Sequence, residues 1–181
     1  MPTVLVPLAQ GCEELEAVTL IDLLRRAEVK VVAAGLEAGA VTASRGVVLL
    51  PDITLDEVLE QDFDMIVLPG GAGGAQRLEQ DPRIIRLLQQ MADKGKYTAA
   101  ICAAPKVLAT AGLLQGRAAT AYPGILDKLS DLKLSSAAVV EDGAVITSRG
   151  PGTAMDFALT LITLLCGREK RNTVEAALQR P

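Results

Sequence analysis

The 181-residue chain is half hydrophobic and carries a formal net charge of −4, which gives one domain with a large core and weighs against duplex nucleic acid as a partner. It contains no His, which excludes Ser-His, Cys-His and metal-His chemistry within the chain. Three widely spaced Cys do not make a disulfide framework, and no run of about 18 apolar residues marks a membrane span.

Residues 3–8 read as a buried first strand rather than a signal peptide, since no basic region or cleavage site accompanies them; a cytoplasmic protein is expected. Gly11 starts a turn, and Cys12-Glu13-Glu14-Leu15-Glu16 runs into a helix ending near Ala27. Leu15, Val18, Leu20, Ile21, Leu23 and Leu24 supply its wide apolar face. Residues 30–34 form a second strand, parallel to the first if the helix is a crossover. Residues 41–43 and 47–49 flank Ser44-Arg45-Gly46 as a hairpin, and 55–59 form a short helix. Residues 65–68 are a third buried strand that closes on the loop Pro69-Gly70-Gly71-Ala72-Gly73-Gly74.

Asp81 caps a helix over 82–94, with Pro82 at its first position and Gly95 past its end. Residues 118–121 read as a strand, 125–129 as a helical turn, and 137–140 with 144–147 as a hairpin around Glu141-Asp142-Gly143. An apolar helix over 153–165 stops at Gly167, and 168–178 form a polar terminal helix. Strands alternating with helices define an α/β fold, a doubly wound sandwich over 1–181 with a mostly parallel sheet. Its sites belong beyond the carboxyl ends of the strands.

The stretch Thr98-Ala99-Ala100-Ile101-Cys102-Ala103-Ala104-Pro105 is the centre of this plan. An apolar strand over 97–101 meets a helix opened by Pro105, leaving Cys102 almost no room to turn. Ala104 precedes proline and is biased away from the α region. A sharp corner is expected, with Cys102 exposed at its tip, backbone N–H groups aimed at the sulfur, and a helix end favouring the thiolate. The competing reading is packing, because free Cys is often buried. Pro69-Gly70-Gly71 carries neither dinucleotide nor P-loop spacing. It reads either as a loop needing positive φ or as an oxyanion site in which Gly71 and Ala103 N–H groups converge. Glu13, Glu14 and Glu16 crowd a helix start, where acids are ordinary. In a chain without His, Glu16 is also the natural proton partner for Cys102. Cys12 and Cys166 read as structural, with Cys12 a secondary oxidation target, and Tyr122-Pro123 lines the pocket.

Gly11-Cys12-Glu13-Glu14-Leu15-Glu16-Ala17, Ser44-Arg45-Gly46, Leu68-Pro69-Gly70-Gly71, Ala100-Ile101-Cys102-Ala103-Ala104-Pro105 and Thr147-Ser148-Arg149-Gly150-Pro151-Gly152-Thr153 occur in that order. Together they resemble the ThiJ/PfpI superfamily, in the branch of the Parkinson-associated deglycase and bacterial YajL. The resemblance implies a flavodoxin-like sandwich and a homodimer. It implies Cys102 as reactive cysteine, Glu16 as its protonated partner, and Gly70, Gly71 and Ala103 around the oxyanion. Arg45, Arg149 and Tyr122 fall near the substrate, and Asp22, Arg26 and Arg45 near the dimer seam. Glyoxalase and deglycase chemistry on small 2-oxoaldehydes and their early adducts is implied, without cofactor or metal, as is a redox-dependent chaperone role. Some relatives carry a His where this chain has Tyr122, so peptidase chemistry of the Cys-His kind is not implied.

Overall fold

A computed structural model describes all of residues 1–181. In chain order the elements are β1 (Thr3–Leu8), α1 (Glu14–Arg26), β2 (Lys30–Gly35), β3 (Val41–Thr42), β4 (Val48–Leu49), β5 (Ile53–Thr54), β6 (Met65–Leu68), α2 (Ala72–Gln80), α3 (Pro82–Asp93), β7 (Tyr97–Ile101), α4 (Pro105–Thr110), β8 (Ala118–Ala119), β9 (Lys133–Leu134), β10 (Val139–Asp142), β11 (Val145–Ser148) and α5 (Ala154–Ala177). Seven strands form the main sheet in the order β10-β11-β7-β6-β1-β2-β5, parallel throughout except for the β10–β11 hairpin. The central strands read VLVPL, MIVL and TAAI because helices cover both faces, and a strand buried twice needs no polar alternation. Helices α1 and α5 pack together; α2, α3 and α4 contact one another as a second group. The β3–β4 hairpin stands apart from the sheet. No helix is long and apolar enough to cross a membrane.

Several boundaries differ from the sequence expectation. The glycine-rich stretch after β6 is not all loop: α2 begins at Ala72. Residues 55–59 contain only a three-residue 3-10 turn, and 125–129 are turns without a helix. The strand expected over 118–121 is two residues long and pairs with β9 outside the main sheet, lying against β10 and β11. Gly167, at φ 85° and ψ 169°, breaks α5 into the two expected segments.

Helix α1 departs most from its pattern. Leu15 and Val18 face outward, 49% and 47% exposed, while Glu14 and Glu16 are buried. Glu14 is held by the hairpin: its Oε1 accepts the Arg45 N–H at 2.8 Å, and Ser44 Oγ lies 2.8 Å from Oε2. Those hydrogen bonds hold the Glu14 carboxyl below the usual range against the opposing effect of burial, which is the largest single influence on it. Apolar periodicity alone assigns the wrong side chains to the core at this helix end, because two carboxylates have partners waiting inside.

Candidate active site

The carboxyl ends of β1, β6 and β7 lie side by side, since β6 pairs with both neighbours. The strand order reverses between β1 and β6, the place where such sheets open a crevice. Strand β1 leads into α1 and delivers Glu16, β6 ends at Gly70 and Gly71, and β7 ends at Cys102.

Cys102 adopts φ +64°, a left-handed conformation costing about 1–3 kcal/mol for a residue with a Cβ. Its N–H donates to Ser148 O at 3.0 Å, and its carbonyl accepts the Tyr122 N–H at 2.9 Å. These bonds on either side of the residue hold the strain in place. Ala104 lies in the α region, at φ −72° and ψ −22°, despite the proline after it. The turn is closed by Ala104 N–H to Ile101 O at 3.0 Å and Val107 N–H to Ala104 O at 2.8 Å, so Cys102 and not Ala104 absorbs the turn. The cysteine is only 9% exposed, not the open tip that a corner suggests.

Glu16 is fully buried; one carboxyl oxygen accepts the Gly70 N–H at 2.7 Å. The other has no hydrogen-bond partner among protein nitrogen and oxygen atoms. The adjacent polar group is the Cys102 thiol. Burial pushes the Glu16 carboxyl up to about 7, with the Glu13 charge adding to it and the Gly70 N–H and Cys102 thiol opposing. Burial, then the charge of ionised Glu16, push the thiol up to about 12, while the N–H groups of Gly71 and Ala103 pull the other way. The helix end therefore does not ionise Cys102 by itself. Two anions cannot share this pocket cheaply, so the pair keeps at least one proton through neutral pH. When Glu16 carries that proton, its negative charge no longer opposes the thiolate.

Gly70 and Gly71 exist for close approach. A Cβ on Gly70 would sit 2.6 Å from Glu16 Oε2 and 2.7 Å from Cys102 Cβ. Gly71 has φ +86°, and a Cβ there would meet Gly11 O at 2.5 Å. We expect Gly70→Ala to cost about 1–3 kcal/mol by overpacking and to remove turnover, read by urea unfolding and lactate release. Wild-type stability and rate in that variant would refute the packing argument.

The remaining sequence candidates fall into two groups. Tyr122 and Arg149 line a cavity whose wall includes neither Cys102 nor Glu16, and the Tyr122 ring lies against Gly150. Arg45 is on the hairpin, exposed, with its main chain held by Glu14 and its side chain in no ion pair. Asp22 pairs with Arg26 at 2.8 Å, four residues along the same exposed helix face. The role of Ser44 was not legible: it lies 2.8 Å from carboxyl oxygens of both Glu13 and Glu14, about thirty residues away in sequence. No group of three or more His, Cys, Asp or Glu side chains is arranged to hold a metal.

The other thiols differ in kind. Cys12 is fully buried, and burial followed by Glu14 pushes it up to about 11. Burial also raises Cys166, which is partly exposed. Limited iodoacetamide treatment with peptide mapping should label Cys102 first and Cys12 last; labelling of either Cys12 or Cys166 before Cys102 would count against the site.

A cysteine held at a strained strand-to-helix corner, beside a buried carboxyl and two backbone donors, sits on a flavodoxin-like sheet. The chain belongs to the DJ-1/PfpI family, whose model matches residues 2–164. It is 46% identical over 171 residues to the DJ-1 homolog B of Arabidopsis thaliana, covering 93% of this chain. The chain spans 39% of that protein's length and 44% of the length of the DJ-1 homolog A from the same plant. The glutathione-independent glyoxalase DJR-1.2 of Caenorhabditis elegans is 36% identical over 167 residues, 91% of this chain and 89% of that protein. The crystal structure of Drosophila melanogaster DJ-1beta superposes with a TM-score of 0.96 at 43% identity, over 99% of this chain and 98% of that one.

Proposed function

We propose that the protein is a cofactor-independent glyoxalase and deglycase that uses Cys102 as nucleophile and Glu16 as proton shuttle. The observation that carries this is the buried Glu16 carboxyl beside Cys102, with one oxygen free of protein N–H and O–H partners. A carboxyl kept from full ionisation at neutral pH can both give and take a proton. In the reaction, the Cys102 thiolate adds to the aldehyde carbon of a 2-oxoaldehyde and forms a hemithioacetal. The Gly71 and Ala103 N–H groups hold the oxygen anion. Glu16 then removes the proton from the former aldehyde carbon and returns one to the neighbouring carbon. The thioester that results is cleaved by water, releasing a 2-hydroxy acid and the thiolate. An early adduct on an amine or thiol first loses that amine or thiol, breaking its C–N or C–S bond and giving back the aldehyde, which then enters the same steps. Kinship with a protein named a glutathione-independent glyoxalase supports this reading. Lactate formation from methylglyoxal, lost in Cys102→Ala, is the test. Carbonyl-stress protection in the cytoplasm is the role that fits.

A second reading uses the same residues without turnover. A sulfinate on Cys102 would accept from the Gly71 and Ala103 N–H groups and from protonated Glu16, and such an oxidised form would serve as a redox signal or chaperone. The two N–H groups facing the sulfur favour it. Unoxidised protein that gives no Cys102-dependent lactate would leave this reading standing alone.

The working unit proposed is a homodimer across α1 and the β3–β4 hairpin. Leu15 and Val18 on the helix are about half exposed; Val47, Val48 and Leu50 around the hairpin are half exposed or more. Outward apolar groups on adjoining elements are the mark of an interface, and Asp22, Arg26 and Arg45 supply charges around it. Light scattering at micromolar concentration should give twice the chain mass, and Val18→Glu with Val48→Glu should give a monomer. A monomeric wild type would overturn the assignment.

A further inference from the structure

Helix α2 begins immediately after Gly71, whose N–H is one of the two that face the Cys102 sulfur. The other belongs to Ala103, just ahead of α4. Helix α2 lies between α4 and the loop from β1 into α1, which delivers Glu16. The aim of the Gly71 N–H therefore depends on where α2 sits between these two. Its own means of staying there are weak. Gly73 and Gly74 lower its helix propensity, and Gly71 offers no side-chain cap. Of its buried residues Gly74, Ala75 and Leu78, only Leu78 is large.

Two polar side chains offset this. Arg77 Nη1 donates to Gln10 O and to Gly73 O, both at 3.2 Å. It ties the first turn of α2 to the loop after β1, beside the Gly74 N–H that donates to Gly11 O at 3.1 Å. Glu79 takes the opposite flank. One of its carboxyl oxygens accepts the Thr110 hydroxyl at 2.8 Å, and the other pairs with Lys106 Nζ at 3.1 Å. No other hydrogen bond or ion pair joins α2 to α4. Residues two apart on a helix point about 200° from each other, so the two braces pull from opposite sides.

We infer that Arg77 and Glu79 are positioning residues for the reacting centre, holding α2 so that the Gly71 N–H keeps its aim at Cys102. The inference rests on the reading of Cys102 as that centre. Neither side chain touches the sulfur, and both act through Gly71. In the resting protein the Gly71 N–H favours the thiolate, and in turnover it faces the oxygen anion. A shift of about 1 Å in such a group is enough to slow a reaction substantially. Because Arg77 is exposed and the Glu79 pair is only partly buried, removing either should disturb the aim more than the fold.

The test compares wild type with Arg77→Met, Glu79→Gln and the double exchange Glu79→Lys with Lys106→Glu. Three quantities are read: kcat and KM for methylglyoxal, the melting temperature, and the rate of Cys102 alkylation by iodoacetamide against pH. Arg77→Met keeps the aliphatic stem and loses the donors. Glu79→Gln keeps an acceptor for Thr110 and loses the charge that holds Lys106. Each single variant should lower kcat about tenfold with KM within about twofold. Alkylation should move to higher pH, running about threefold slower at pH 7. Melting temperatures should stay within about 3 °C of wild type. The double exchange should restore rate and profile, because the ion pair is remade in reverse and the Thr110 hydroxyl can accept instead of donate. Single variants with wild-type kcat and an unmoved alkylation profile overturn the inference and leave the glyoxalase reading in place. A rate loss that only matches the loss of folded protein, or a double exchange no better than Glu79→Gln, overturns it too. A wild type that forms no lactate, with the alkylation profile still shifted in both single variants, supports the braces and removes the glyoxalase reading instead.

Discussion

Cys102→Ala should form no lactate from methylglyoxal above the uncatalysed rate, a loss of at least about 10³-fold, with little change in the folded state. The expectation follows from the chemistry of the first bond. Without sulfur there is no hemithioacetal, and Glu16 then has no substrate carbon within reach of its free oxygen. Stability changes little because the alanine keeps the backbone at φ +64°, held by Ser148 O and the Tyr122 N–H, and loses only one buried sulfur. Cys102→Ser separates nucleophilicity from shape. The hydroxyl occupies the same corner but ionises far less readily than a thiol, so it should be nearly as inactive as alanine. Cys12→Ala should keep the wild-type rate, since Cys12 is sealed in the core and its thiol is pushed up by burial. Residual lactate in Cys102→Ala, at more than a few per cent of wild type, would move the chemistry elsewhere.

How much of this was written in the chain depends on whether the signal was local. The Cys102 corner was legible because a short apolar strand and Pro105 bracket it within a few residues. The Asp81 cap was legible for the same reason, and its Oδ1 accepts the Arg83 N–H at 2.9 Å. Helix α2 was not, because two glycines in its first turn each cost about 1 kcal/mol of helix propensity. They are there for a tertiary reason: a Cβ on Gly74 would sit 2.6 Å from Cys12 Cα. The close approach of α2 to the loop after β1 outweighs propensity. The outward placement of Leu15 and Val18 runs against the apolar pattern of α1, and the burial of Glu14 follows from partners on a hairpin about thirty residues on.

Glu16→Gln should lose about 10²–10⁴ in lactate formation and gain stability above neutral pH. The two effects share one cause. In the native state burial holds the Glu16 carboxyl up at about 7, against 4.5 for the free group. The folded protein therefore binds more protons than the unfolded chain between those values. Stability from this group is full below about pH 4.5, is lost as pH rises through about 7, and is flat above it. The ionised carboxylate costs the wild type about 3 kcal/mol at pH 8, because each pH step of one between those two values removes roughly 1.4 kcal/mol. Gln has no such cost, and its carbonyl still accepts the Gly70 N–H. Urea unfolding should show Glu16→Gln gaining on the wild type from pH 5 to pH 8, with no further gain beyond. The amide can donate to the Cys102 thiolate, so oxidation of the thiol persists, but it cannot take a proton from carbon and return it. Glu16→Leu should lose both properties and also leave the Gly70 N–H unpaired, costing about 1–3 kcal/mol. An equal stability difference at pH 5 and pH 8 would mean that Glu16 ionises normally in the folded protein. A wild-type rate in Glu16→Gln would take the shuttle away from Glu16 and give it to the Tyr122 phenol or to water.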